Sequence, residues 1–157
     1  MATTPAERLF CDTNVLLHAV DRKRALHAQA LHVLDELPNQ GVELCVSGQI
    51  LRELVAVCTR PREVNGLGLT VSQAVENAEA VAARSTILDE TREVAARLLR
   101  MVAACGCSGK QVHDANLVAT MLEHRIGHLV TDNLTHMRRF AGIEVVDLAL
   151  LPKRGPP

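Results

Sequence analysis

Four carboxylates stand where an acidic side chain has little ordinary reason to be. Asp12 sits between apolar runs in RLFCDTNVLLHAV, Glu53 lies in GQILRELVAVCTR, Asp114 in QVHDANLVATMLEH, and Asp132 follows the apolar run of HLVTDN. At helical spacing Glu53 shares a face with Ile50, Ala56 and Val57, and Asp114 shares one with Leu117, Val118 and Met121. An ionised carboxylate buried without compensation is strongly unfavourable. An arginine or lysine, a set of N–H donors, or a bound cation could compensate. Asp12 could simply cap a helix, and Glu53 or Asp114 could each pair with a distant arginine; Lys110 lies four residues before Asp114. As a set the four have a different meaning. Acidic groups meeting without matched bases repel one another unless a hard divalent cation holds them. Oxygen ligands of this kind suit Mg²⁺ or Mn²⁺, the ions of metal-assisted phosphodiester chemistry.

Such a set needs elements that bring it to one place. Short apolar runs alternate with helical periods along the chain. The spacing predicts strands over 8–12, 43–46, 85–88, 127–131 and 143–148. Helices are expected over 13–20, 24–37, 48–60, about 70–83, from Asp89 to about Ala104, 111–125 and 134–140. Ser47, Asp89 and a Thr70/Gln73 capping box serve as N-terminal signals. Repeated alternation of this kind argues for a mostly parallel sheet covered on both faces. Ligands of such sheets bind beyond the carboxyl ends of the strands, where the strand order reverses. Asp12 and Asp132 both stand at such ends.

The bulk properties narrow the field. One domain is expected over 1–150 of the 157 residues, with 151–157 as a disordered tail. A hydrophobic fraction of 48% with 22% charged residues is that of a soluble globular chain. No apolar run approaches the ~20 residues of a membrane span, and MATTPAERLF lacks the pattern of a signal peptide. A cytoplasmic location is the expectation. The five cysteines form no CxxC pair and read as buried free thiols. With a net charge of −1 and only Phe10 and Phe140 as aromatics, base stacking is excluded as a main mode of nucleic-acid binding. Any nucleic acid must be held through phosphates, local arginines and metal.

The segments FCDTNVLL, VSGQILRELVAV, VHDANLVATMLEHRIGHLVTDN and FAGIEVVDL resemble the PIN-domain ribonucleases, and most of all the toxins of VapBC toxin–antitoxin systems. The resemblance runs from about residue 8 to 150, and the pairing of DTNVLL with HDANLVA carries most of it. It implies a three-layer α/β/α fold and Mg²⁺- or Mn²⁺-dependent RNA cleavage. It further implies a cognate antitoxin that neutralises the protein, and a homodimer. Carried over, Asp12, Glu53 and Asp114 match the first three acidic positions. Thr13, Asn14 and Thr131 match residues that shape the site. At the fourth position Asp132 and Asn133 stand side by side; a carboxylate binds a hard cation better than an amide, so Asp132 is preferred, with Asn133 as alternate or helper.

Arg138 and Arg139, close after that position, are the expected RNA phosphate contacts. His113, beside Asp114 but turned about 100° away on a helix, reads as a surface residue. Other readings fit less well. A non-catalytic PIN-like binding module would have no need of three retained acidic positions. An aspartyl-phosphate phosphatase wants a second Asp two residues after the first, where Asn14 stands. A phosphoacceptor receiver domain wants an acidic pair before its acceptor, and none precedes Asp12.

Overall fold

The alternation of strands and helices builds a five-stranded sheet in a computed structural model that describes residues 7–156. Residues 1–6, on which the signal-peptide reading rests in part, and Pro157 lie outside the described residues. The strands are β1 (Glu7–Cys11), β2 (Val42–Ser47), β3 (Thr86–Leu88), β4 (His128–Thr131) and β5 (Glu144–Asp147). Their order is β3-β2-β1-β4-β5 and every pairing is parallel. A parallel strand covered on both faces must be apolar on both. Accordingly Phe10, Cys45, Val46, Leu129 and Val130 are fully buried.

Among the described residues seven α-helices cover the sheet: α1 (Thr13–Val20), α2 (His27–Leu31), α3 (Gly48–Thr59), α4 (Val71–Arg84), α5 (Arg92–Cys105), α6 (Gln111–Glu123) and α7 (Leu134–Met137). Helix α1 packs on α2 and α3, α3 on α4, and α5 on α6. The chain steps outward from β1 to β3, then crosses to β4 and steps outward the other way. Right-handed crossovers in opposite directions put the two helical groups on opposite faces. The strand order therefore reverses between β1 and β4, and the crevice beyond their carboxyl ends is the expected binding place. Asp12 and Asp132 flank it. Among the described residues no helix is long and apolar enough to cross a membrane.

Several local expectations are corrected. The helix over 24–37 is shorter and broken. Leu26, at φ −104° and ψ 23°, leaves the helical region, so α2 starts at His27. It runs on as a π-helical turn, His32–Glu36, in which Leu37 N–H donates to His32 O, and as a 3₁₀ turn, Pro38–Gln40, closed by Gly41 at φ 90°. Helix α5 is capped by the Thr91 hydroxyl, not by Asp89. Ser47 makes no side-chain cap bond; the Gln49 N–H of α3 donates instead to Glu90 Oε1 at 3.0 Å, a cap supplied from the far side of β3. The Thr70/Gln73 capping box is present.

The tail is tied down in part. Residues 151–156 form no helix or strand, yet Arg154 N–H donates to Ala28 O, the Arg154 guanidinium pairs with Asp35 at 3.0 Å, and Gly155 N–H donates to Glu36 Oε1. Of the cysteines, Cys11, Cys45, Cys58 and Cys107 are buried and all five are free thiols.

Candidate active site

Asp12 follows the last residue of β1, and its N–H extends the sheet ladder to Val130 O. An ordinary cap accepts from the second or third N–H of its helix. Asp12 accepts instead from the first, Thr13 N–H, at 2.7 Å through Oδ1. Its other oxygen accepts from the Thr131 hydroxyl at 2.7 Å and from Asn14 Nδ2 at 3.0 Å. Asn14 Nδ2 also donates to Thr131 Oγ1. Thr13, Asn14 and Thr131 thus supply the hydrogen bonds to this carboxylate. Asp12 is 7% exposed. Burial pushes its carboxyl up to about 6; the bonds from Thr131 and Thr13 oppose that rise, and the charges of Glu53 and Asp114 add to it.

Glu53 reaches the same place from α3. Its Oε2 accepts from the Thr13 hydroxyl at 2.7 Å, so Thr13 links the two acids. Its Oε1 accepts from Gln49 Nε2 at 2.8 Å. Asp114, in the first turn of α6, has its carboxyl raised by burial and by the Glu53 charge, with His136, His113 and Arg139 opposing. The imidazole of His136 lies beside it, with Nδ1 3.9 Å from Asp114 Oδ2. Three carboxylates from three separate elements therefore feel one another's charge, and no arginine or lysine ion-pairs with any of them among the described residues.

Asp132 is placed differently. Its carboxylate pairs with His18 Nε2 at 2.7 Å, and its N–H donates to Asn14 Oδ1. It caps nothing in α7. Asn133 turns the other way: its N–H donates to Thr131 Oγ1, and its Nδ2 lies 3.3 Å from His136 Nδ1, the imidazole beside Asp114. Arg138 and Arg139 are both exposed. Arg139 donates to Cys105 O, lies over the Phe140 ring, and its charge reaches Asp114. His113 is exposed, and its carbonyl accepts from Gln49 Nε2 at 3.0 Å.

Four residues of this neighbourhood escape the sequence reading: His18, Gln49, Asn116 and His136. Gln49 had a signal, lying one turn before Glu53 on the same face. His18 likewise lies one turn after Asn14. Asn116 and His136 carry no pattern that separates them from surface residues.

A profile describing the PIN domain matches residues 9–143. No curated protein matches significantly. Among solved structures, VapBC2 from Rickettsia felis bound to a DNA fragment from their promoter has a TM-score of 0.66 at 14% identity, covering 89% of this chain and 98% of that one. VapBC-1 from nontypeable Haemophilus influenzae has a TM-score of 0.64 at 17% identity, covering 90% and 98%. VapC20 of Mycobacterium tuberculosis, described as a sarcin-ricin loop cleaving toxin, has a TM-score of 0.59 at 16% identity, covering 77% and 86%. These likenesses carry the fold.

Proposed function

Since the chain belongs to the PIN domain family, we propose that it is a metal-dependent endoribonuclease, the toxin of a toxin–antitoxin pair, acting through Asp12, Glu53, Asp114 and Asp132. The observation that carries this reading is the convergence of Asp12, Glu53 and Asp114, each from a different element. Thr13 links Asp12 to Glu53, and no arginine or lysine is paired to the three among the described residues. Burial first, and then neighbouring carboxylate charge, raises Asp12 and Asp114. Hard, ionised oxygen donors fit Mg²⁺ or Mn²⁺. Among the described residues no three His, Cys, Asp or Glu side chains form a ready-made metal-binding group.

When bound, such an ion supplies Lewis acidity at a phosphate and a lowered pKa for the attacking water. The chain's own residues do the rest. Thr13 and Thr131 hold the Asp12 carboxylate ionisable near neutrality, and Thr13 with Gln49 holds Glu53. Arg138 and Arg139 meet the RNA backbone.

The test uses pure protein and a labelled RNA. EDTA should stop cleavage, and excess Mg²⁺ or Mn²⁺ should restore it. Cleavage that survives EDTA overturns the metal, while RNA binding with no cleavage at all favours a non-catalytic module. The same assay decides the fourth position. Asp132→Ala should slow cleavage strongly at saturating Mg²⁺, and a loss confined to Asn133→Ala would move that role to Asn133.

The partners follow the same reading: an antitoxin and a second copy of the chain. On α3 the apolar face is taken up by the core, where Ile50, Leu54 and Cys58 are fully buried. Beside α2 a cleft of about 390 Å³ stays open, floored by Leu16, Val20, Leu31 and Val81 and rimmed by Arg22, Arg84 and Arg154. The last two arginines share the single carboxylate of Asp35, which leaves the rim positive and suited to an acidic, apolar segment of the antitoxin. Light scattering of the protein alone should give a dimer at micromolar concentration, and a monomer removes that part of the reading.

A further inference from the structure

Gln49 is a buried amide with every polar group committed. It is 5% exposed. Its Nε2 donates twice, to Glu53 Oε1 at 2.8 Å and to His113 O at 3.0 Å, and its Oε1 accepts from Asn116 Nδ2 at 2.7 Å. An amide offers two donors and one acceptor oxygen; here all three roles are directed at α3 or α6. His113 immediately precedes Asp114, and Asn116 lies two residues after it. The two helices belong to opposite layers of the fold, so few other groups can tie their first turns together. The result is an unbroken chain of hydrogen bonds: Asp12 to Thr13 N–H, Thr13 hydroxyl to Glu53, Glu53 to Gln49, and Gln49 to the backbone on which Asp114 stands.

We infer that Gln49 is a positioning residue of the site: its side-chain amide fixes the orientation of Glu53 and couples that carboxylate to the first turn of α6, with Asn116 as its anchor. The inference rests on the metal-dependent reading given above. Fixing a free glutamate side chain costs it rotamer freedom. The paired donors from Thr13 and Gln49 meet that cost before any ligand arrives, and each carboxylate oxygen keeps a lone pair free. Outer partners of this kind typically change metal affinity or activity 10- to 100-fold when removed. A residue that merely braced two helices would act on stability regardless of what occupies position 53.

Mn²⁺ titration by calorimetry on the full chain separates these roles, with thermal melts run alongside. Gln49→Leu, Glu53→Gln and the double variant form a cycle, repeated with Asn116→Ala in place of Gln49→Leu should the leucine variant fail to fold. Gln49→Leu should raise the Mn²⁺ Kd about 10- to 100-fold in the wild-type background and less than about twofold in the Glu53→Gln background. An unchanged Kd for Gln49→Leu, or the same penalty in both backgrounds, overturns the inference. A wild-type protein that binds no Mn²⁺, or a Glu53→Gln variant with wild-type affinity, overturns the metal reading itself and is distinguished by those two controls.

Discussion

Replacing Asp114 with asparagine should silence cleavage and at the same time make the protein harder to melt. Asp114 accepts no hydrogen bond among the described residues and has only a half-exposed imidazole at 3.9 Å for company. Burial and the Glu53 charge both oppose its ionisation. Neutralising it removes that opposition and leaves no donor stranded, so the melting temperature measured in EDTA should rise by about 2 °C or more. The cleavage rate in Mg²⁺ should fall at least about 100-fold, near 3 kcal/mol of transition-state stabilisation.

Asp12→Asn should be equally inactive, but its melting temperature should stay close to that of the wild type. The amide escapes the burial cost of a charge. However, either orientation turns its NH₂ toward a group that already donates, Thr13 N–H on one side or Asn14 Nδ2 on the other, and an unmet donor costs about 1–3 kcal/mol. The two contributions nearly cancel. A melting temperature that drops for Asp114→Asn, or near-normal activity in either variant, would show that these carboxylates are not held against one another.

Below about pH 6 the metal requirement should climb steeply. Asp12 binds its proton with a pKa near 6, and a cation must displace that proton. The apparent Mn²⁺ Kd should therefore rise about tenfold for each pH unit below 6 and level off above it. Stability without metal shows the opposite face of the same linkage. The folded-state pKa of Asp12 is raised from 3.8 to about 6, so the folded protein holds the proton more tightly than the unfolded chain does. The ionisation penalty is absent below the unfolded value, grows as pH rises between the two values, and is complete above 6. It amounts to about 3 kcal/mol. Denaturant midpoints in EDTA should fall across that window in the wild type and fall distinctly less in Asp12→Asn, where only Asp114 keeps a raised carboxyl. A flat wild-type curve would remove Asp12 as the titrating group.

The acidic set was legible because each member breaks a pattern. Glu53 and Asp114 interrupt apolar helical faces, and Asp12 interrupts an apolar strand-to-helix junction; burial there makes sense only if the groups meet. The fold class followed from the alternation, since period-2 and period-3.6 runs have to pair as layers. What the sequence hid are features that depend on partners far along the chain. The cap of α3 comes from Glu90 and not from the adjacent Ser47, because a carboxylate across β3 reaches the Gln49 N–H. The π-helical turn at His32–Glu36 carries no residue-type signal that separates it from an α-helical turn. Gln49 lies one turn before Glu53, but its partners Asn116 and His113 stand more than sixty residues further along the chain. Asp132 and Asn133 differ by one position, and their opposite partners, His18 and His136, are 118 residues apart.

The central place of β1 has a consequence for the order in which the molecule comes together. Its partners are β2, which the chain reaches within about forty residues, and β4, which begins at His128. Until β4 has been synthesised, one side of β1 is an open edge, with unpaired backbone groups and apolar side chains exposed to any passing strand. Closing a loop of that length is also slow compared with pairing of neighbours. The carboxylates at 12, 53 and 114 can meet only when that closure occurs, and the Thr131 hydroxyl that fixes Asp12 arrives with β4 itself. A chain interrupted anywhere before about residue 131 therefore carries most of the acidic residues but cannot assemble them. On the proposed reading such a fragment would cleave no RNA, and its open strand edge would leave it prone to associate with other strands.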